Sequence, residues 1–253
     1  MGLALSADGT MLAQATIRGG VDRVGTIWLW DLQKQTKRSV PVPWALSYVL
    51  AYSPDGTRFA AANQLETRVW DLRHLDADPS VLPPRQAQEV SALAFSPDGN
   101  RLAVGAEEIA VWDLRKPSTE PIILRKFRSS PFDTTRSVVS SVQFSPGDGF
   151  RLVSGSNVLT QIWDLRNPTE GLILPAAGIV SSVAFSSDGL RVAAANADGE
   201  ARMWLLGQAA ADDLCGRVWR NLSMDEWRRY VGESIPYEKT CPALPAGIGV
   251  SAR

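Results

Sequence analysis

Residues 90–114 read VSALAFSPDGNRLAVGAEEIAVWDL. The stretch holds three short apolar segments separated by turn chemistry. Between the first two lies Ser96-Pro97-Asp98-Gly99. Proline presets φ at about −65° for the first corner, Asp tolerates the second, and Gly takes the positive φ that follows, so this turn joins two antiparallel strands. In the third segment Trp112 follows apolar Val111, which puts apolar side chains on both faces. Such a strand is covered on both sides.

The same phrase recurs along the chain. Trp30, Trp70, Trp112, Trp163 and Trp204 lie 40, 42, 51 and 41 residues apart, each after an apolar residue: Leu29, Val69, Val111, Ile162 and Met203. Upstream of them stand the turns SADG (6–9), SPDG (53–56), SPDG (96–99), SPGDG (145–149) and SSDG (186–189). An alternating strand precedes each turn and a small-residue strand follows it. A further apolar stretch, such as RSVPVP, SVLPP, PIILR or GLILP, comes after the Trp segment. Four strands in a repeat of about 40 residues are the signature of a propeller blade, and the period-2 alternation excludes a helical solenoid.

Composition narrows the function classes. The 253 residues carry 26 Lys+Arg against 27 Asp+Glu, a formal net charge of −1. No global field is available to hold a polyanion, so specific nucleic-acid binding is not expected. No apolar run approaches the roughly 20 residues of a membrane span, and the amino terminus lacks the basic and apolar regions of a secretory signal. A cytoplasmic setting is the reading that follows. Two cysteines and one histidine, His74, cannot build a usual four-ligand zinc site, and no cofactor is expected. Cys215 and Cys241 read first as buried free thiols, with a bridge between them as the alternative.

The hydrophobic-Ser-Pro-Asp-Gly turn, the small-residue strand and the hydrophobic-Trp-Asp segment together resemble the WD-repeat β-propellers over residues 1–206. The resemblance implies an architectural role for Trp30, Asp31, Trp70, Asp71, Trp112, Asp113, Trp163, Asp164 and Trp204. The chain departs from the family pattern in lacking the Gly-His pair that often enters each blade. Six residues before the Trp, only the last unit offers the family's Asp, as Asp198; the others have Val24, Gln64, Ala106 and Asn157. Blades held mainly by apolar packing, with the family's polar lock missing or substituted, are expected. Trp28 stands where other units have Arg68, Ala110, Gln161 and Arg202, and is read as filling a gap between blades.

The expected organisation is five blades, at about 1–43, 44–86, 87–136, 137–177 and 178–207, followed by a tail over 208–253. The fifth unit supplies three strands, and the reading is of a carboxy-terminal portion of a longer array. In the tail, Ala211, Leu214, Cys215 and Val218 form an amphipathic stripe. Ser223 and Glu226 form a capping box for a second helix, in which Asp225 and Arg229 pair. Residues 214–245 resemble the tail that ends the repeat arrays of bacterial signalling proteins of the STAND NTPase or effector class, through Cys215, Arg220-Asn221-Leu222, Glu226-Trp227, Tyr237 and Thr240-Cys241-Pro242. That resemblance implies an NTPase or effector domain upstream and a sensing role for the array.

Neither a G-x-x-x-x-G-K-[ST] run nor G-x-G-x-x-G occurs, and His74 has Asp71, Asp76 and Asp78 nearby but no Ser-His-Asp arrangement without distant partners. Catalysis is therefore not expected, and no catalytic or metal residue is assigned. Candidate binding residues come from rim loops: Lys126, Arg128 and Arg136 interleaved with Phe127 and Phe132, Arg18 and Arg23 in the first unit, and Trp44 and Tyr48 entering the second. Their chemistry suits an acidic or phosphorylated protein or peptide partner. The functional reading is a protein-interaction or ligand-sensing module, with a free-standing scaffold as the alternative and an enzyme acting through the channel face as the least favoured.

Overall fold

The computed structural model describes residues 2–17, 25–42, 49–63, 66–83, 89–125, 138–157, 159–174, 178–207, 215, 221–230, 241 and 244. The chain divides into two compact units, Met1–Met203 and Trp204–Arg253.

Nineteen described strands form five antiparallel sheets, four of them four-stranded. The first runs β1 (Leu3–Leu5), β2 (Met11–Ile17), β3 (Gly25–Asp31), β4 (Thr36–Val42). The second is β5 (Val49–Tyr52), β6 (Arg58–Ala62), β7 (Thr67–Asp71), β8 (Ser80–Leu82), and the third β9 (Ala92–Phe95), β10 (Arg101–Gly105), β11 (Ile109–Asp113), β12 (Ile122–Leu124). The fourth is β13 (Val139–Phe144), β14 (Arg151–Ser156), β15 (Thr160–Asp164), β16 (Asn167–Leu174). The fifth has three strands among the described residues, β17 (Val180–Phe185), β18 (Arg191–Asn196) and β19 (Ala201–Leu205). The first strands of successive sheets are neighbours, β1 beside β5, β5 beside β9, β9 beside β13 and β13 beside β17, so each sheet turns its inner edge towards the same region. This is the all-β propeller order that the repeat predicts.

Four of the five inner hairpins are built by the Ser-x-Asp-Gly turn; the fourth sheet has Ser145-Pro146-Gly147-Asp148-Gly149, in which Asp148 accepts the Phe150 amide at 3.0 Å. In the third sheet the Ser96 hydroxyl donates to Asp98 and accepts from the Arg101 amide at 2.9 Å, while Asp98 accepts the Asn100 amide at 3.1 Å. Ser6 with Asp8, Ser53 with Asp55 and Ser186 with Asp188 repeat the arrangement. Gly99 has φ of 66° and Gly56 of 67°, where a side chain would strain the backbone. The Ser6 hydroxyl, then the Thr10 amide, holds the Asp8 carboxyl below the usual carboxylate range.

Adjacent sheets interlock by a rule that follows from strand alternation. The residue before the Trp faces forward to the next sheet, and the Trp faces back to the previous one. Ala60 and Val69 of the second sheet pack with Phe95, Leu102 and Trp112 of the third. Ala103 and Val111 of the third pack with Val142, Phe144, Leu152 and Trp163 of the fourth. Small residues admit the neighbour. A Cβ at Gly155 would lie 2.5 Å from Val180 Cγ1 and 2.9 Å from Val183 Cγ1 of the next sheet.

Polar ties supplement this packing, in place of the lock that the absent His would supply. Ser91 donates to the Val139 carbonyl and Ser140 to the Val180 carbonyl, each across a sheet boundary. Arg58 reaches the Gly99 carbonyl at 2.6 Å and Arg101 the Gly149 carbonyl at 3.2 Å. Within the fourth sheet the Trp163 indole donates to the Ser154 hydroxyl at 2.9 Å. Asp198 accepts the Glu200 amide at 3.2 Å in the turn that precedes β19. Trp28 is half-buried, and Lys37 Nζ lies 4.6 Å from its ring centroid and 5.0 Å from that of Trp30.

In the second unit, helix α1 (Met224–Tyr230) starts with the expected box: Glu226 accepts the Ser223 amide at 2.7 Å, and Ser223 Oγ accepts the Glu226 amide at 3.2 Å. Asp225 is 3.8 Å from Arg228, one turn on; the Arg229 side chain and residues 211, 214 and 218 lie outside the described ones. The reading of two free thiols is corrected, because Cys215 and Cys241 form a disulfide across 26 residues of chain. Asn221, 4 % exposed, explains the approach. Its carboxamide donates to the carbonyls of Cys241 at 2.8 Å and Leu244 at 3.0 Å, and accepts the Cys241 amide at 2.8 Å. The returning segment is therefore seated by hydrogen bonds that satisfy its buried backbone.

Two outcomes follow from these contacts. Gly155→Ala is expected to destabilise the chain by about 1–3 kcal/mol through overpacking, read as a lower urea midpoint. Asn221→Ala is expected to cost about 1–3 kcal/mol by leaving the Cys241 amide unpaired, read as faster hydrogen exchange at that amide.

Candidate interaction surface

The Asp of the Trp-Asp pair is a structural anchor in three successive sheets. Asp71 accepts the Arg73 amide at 2.9 Å and the Arg73 guanidinium through two bonds, at 3.0 and 2.8 Å. Asp113 does the same with Arg115, at 3.0, 2.9 and 2.8 Å, and Asp164 with Arg166, at 2.9, 3.1 and 3.3 Å. The guanidinium fork matches a carboxylate in plane, and such bidentate pairs set orientation as well as attraction. Beside the Arg115 guanidinium, Asp113 is pulled down to about 2, and the Arg73 guanidinium likewise holds Asp71 below the usual carboxylate range. Asp31 uses Lys34 instead, with its amide at 2.9 Å and Nζ at 3.1 Å. The histidine of the chain sits in the same corner: His74 Nδ1 is 3.5 Å from Asp71, and the ring is mostly exposed.

These anchors aim the loops that follow. In the second sheet the chain from Leu72 to Pro79 crosses the rim before β8, and in the third the chain from Leu114 to Pro121 does so before β12. Each loop faces the outer strand of the preceding sheet, with the buried Trp at the back. The result is two grooves in equivalent places. One, of about 350 Å³, is lined by Arg38, Val40, Arg68, Trp70, Leu75 and Asp78. The other, of about 360 Å³, is lined by Val81, Pro83, Trp112, Pro117, Thr119 and Glu120. Between the third and fourth sheets the loop shrinks to Leu165–Arg166, and β16 packs on β12.

The other end of the sheets carries a smaller cavity of about 10 Å³, the size of one water, between the third and fourth sheets. Glu107, Glu108, Ser156, Gln161 and Trp163 line it. Among the described residues, no three His, Cys, Asp or Glu side chains converge as metal ligands would.

The nine candidate binding residues from the sequence, Arg18, Arg23, Trp44, Tyr48, Lys126, Phe127, Arg128, Phe132 and Arg136, all lie outside the described residues. Of the architectural set, Trp70, Trp112 and Trp163 are buried at 4, 5 and 3 % exposure, whereas Trp30 and Trp204 are half-buried. Sequence reading missed the rim grooves. Their signal is the length of chain between the Trp-Asp pair and the next apolar stretch, long in the second and third units and short in the fourth.

Comparison with known proteins agrees with this geometry. The family model described as "WD domain, G-beta repeat" matches residues 81–113 and 172–204. Both matches begin in the outer strand of one sheet and end at the third strand of the next, so the sequence repeat straddles two sheets. The chain is 28 % identical over 159 residues to the target of rapamycin complex subunit wat1 of Schizosaccharomyces pombe, covering 61 % of this chain and 48 % of that protein. It is 26 % identical over 216 residues to the Protein LST8 homolog of Drosophila melanogaster, covering 84 % and 66 %. It thus spans about half to two thirds of the length of these curated relatives. A chain of the crystal structure of the mitotic checkpoint complex superposes with a TM-score of 0.64 at 19 % identity, over 83 % of this chain and 60 % of that one.

Acid unfolding should report the Asp–Arg corners. A carboxylate whose folded pKa lies below its unfolded value of about 3.9 contributes stability that is complete above that pH and is lost as pH falls towards the folded pKa. For Asp113 the window therefore runs from about pH 4 down to about 2. Asp113→Asn is expected to flatten the pH dependence of the urea midpoint within that window and to leave it unchanged near neutrality, where only the constant offset of the lost pair remains.

With the sheet order, the interlocking faces and the superposition in agreement, the fold is that of a WD-repeat β-propeller, followed by a short helical tail.

Proposed function

We propose that this chain is a non-catalytic protein-interaction module that holds an extended segment of a partner along its outer rim. The observation carrying this reading is the pair of grooves in equivalent positions on successive sheets, each backed by a buried Trp and walled by the edge strand of the preceding sheet. An edge strand offers unpaired backbone groups, and the apolar back of each groove offers a pocket for a side chain, which are the two elements of strand-type peptide recognition. The relatives' names point the same way, since they are subunits of a complex. An acidic segment suits Arg38 at the first groove and the basic, aromatic composition of residues 125–136.

The finer reading is a sensor region of a multidomain bacterial signalling protein. Support comes from the tail, where Asn221, Cys215 and Cys241, all among the motif residues, form a single clasp. An in-frame NTPase or effector domain encoded upstream would support it, and a separate gene there would argue for the free-standing scaffold.

The rim is tested with Val81→Asp and Arg38→Glu, both at exposed positions. Co-purification of tagged chain from its own cells, followed by binding of the purified partner's acidic segments as synthetic peptides, is expected to show roughly tenfold or greater weakening by either variant. Unchanged peptide binding would remove the rim from the interaction. Turnover of a substrate by the purified chain would overturn the non-catalytic reading.

A further inference from the structure

The face that the fourth sheet turns towards the third carries a buried polar pair. Gln161 of β15 and Ser154 of β14 are cross-strand neighbours, where the second sheet pairs Arg68 with Ala61 and the third pairs Ala110 with Val104. Arg68 and Ala110 are half-buried, whereas Gln161 is 1 % exposed and Ser154 is buried as well. Gly171 of β16 leaves the carboxamide its place, since a Cβ there would collide with Gln161 Nε2.

Trp163 follows Gln161 by two residues and so shares its face. The Trp163 indole donates to Ser154 Oγ at 2.9 Å. Two hydrogen-bonding demands then stand side by side. The Ser154 hydroxyl accepts the indole proton, and among the described residues no acceptor takes its own proton. Gln161 Oε1 is shut off from bulk solvent, and no donor of the described residues reaches it. Buried polar groups in folded proteins find a partner in the protein or in ordered water in the great majority of cases.

Ser154, Gln161 and Trp163 all line the cavity of about 10 Å³ between the third and fourth sheets, and Ile109 and Leu124 of the third sheet face them across it. A space of that size takes one water, and a buried water requires two or more polar partners. We infer that this cavity is a binding site for a single structural water, which accepts the Ser154 hydroxyl proton and donates to Gln161 Oε1. The pair of demands selects the ligand. A cation could not receive the Ser154 proton and an anion could not supply Gln161, whereas water does both. The water joins Trp163, Ser154 and Gln161 into one chain of hydrogen bonds across β14 and β15, so the fourth sheet keeps a polar group at a depth where the third has Ala110 and Val104. This inference does not rest on the rim grooves or on the partner proposed for them.

A crystal structure of the 253-residue chain tests it, with a matched structure of Gln161→Met, which keeps the length of the side chain and removes the acceptor. The wild type alone suffices to decide, should the variant not fold. It is expected to show one solvent peak in the cavity, within about 2.6–3.2 Å of both Ser154 Oγ and Gln161 Oε1. In Gln161→Met that peak is expected to be lost. A wild-type cavity without the peak, a Ser154 hydroxyl bonded directly to Gln161 Oε1, or a peak that persists unchanged in Gln161→Met would each overturn the inference.

Discussion

The packing of one sheet's pre-tryptophan face against the next sheet's tryptophan face is the interaction on which the rest of the structure depends. A β-strand has two faces, and in this chain each is addressed to a different neighbour. Small or branched side chains such as Ala60, Val69, Ala103 and Val111 point forward, and large ones such as Phe95, Trp112, Phe144 and Trp163 point back into them. Large on small fills the layer between sheets. Gly155 shows how close the approach is, since even a methyl group there would collide with Val180 of the following sheet.

Around that apolar joint the polar side chains are committed locally. Ser and Asp of four inner turns bond one another and the backbone two to five residues on, and the Trp-Asp carboxylates of the second, third and fourth sheets are each held by the arginine that follows. Those carboxylates are therefore hydrogen-bonded acceptors with lowered proton affinity, suited to holding loops in place and poorly suited to taking a proton near neutrality. The loops they aim are what differ between sheets. Two long crossings leave grooves on the rim; the short one in the fourth sheet lets β16 close on β12. The scaffold repeats while the surface does not, and on such folds recognition resides in the surface.

How much of this was legible beforehand can be seen residue by residue. The strands, the turns, the direction in which Leu29 and Trp30 face and the cap formed by Ser223 and Glu226 all depend on neighbours within a few positions, so the local pattern carries them. The rim grooves were not legible, because they are made of an outer strand and a loop about 40 residues later in chain, whose distance depends on how two sheets stack. The register position of Trp28 is likewise local, while its contact with Lys37 of the neighbouring strand is set by the sheet. The candidate residues of the 125–137 loop were chosen by composition, and composition places no side chain.

By itself the sequence determined the repeat and the residues that form each turn and each face, since a period-2 alternation within a period of about 40 residues is the pattern of propeller blades. Only the tertiary structure decided where the rim opens and that Cys215 meets Cys241. The physical reason is range. Turn chemistry and strand alternation act over a few residues and are written in adjacent letters, whereas a groove or a disulfide is a distance between segments far apart in the chain. That distance exists only once the sheets are stacked and Asn221 has drawn the returning segment home.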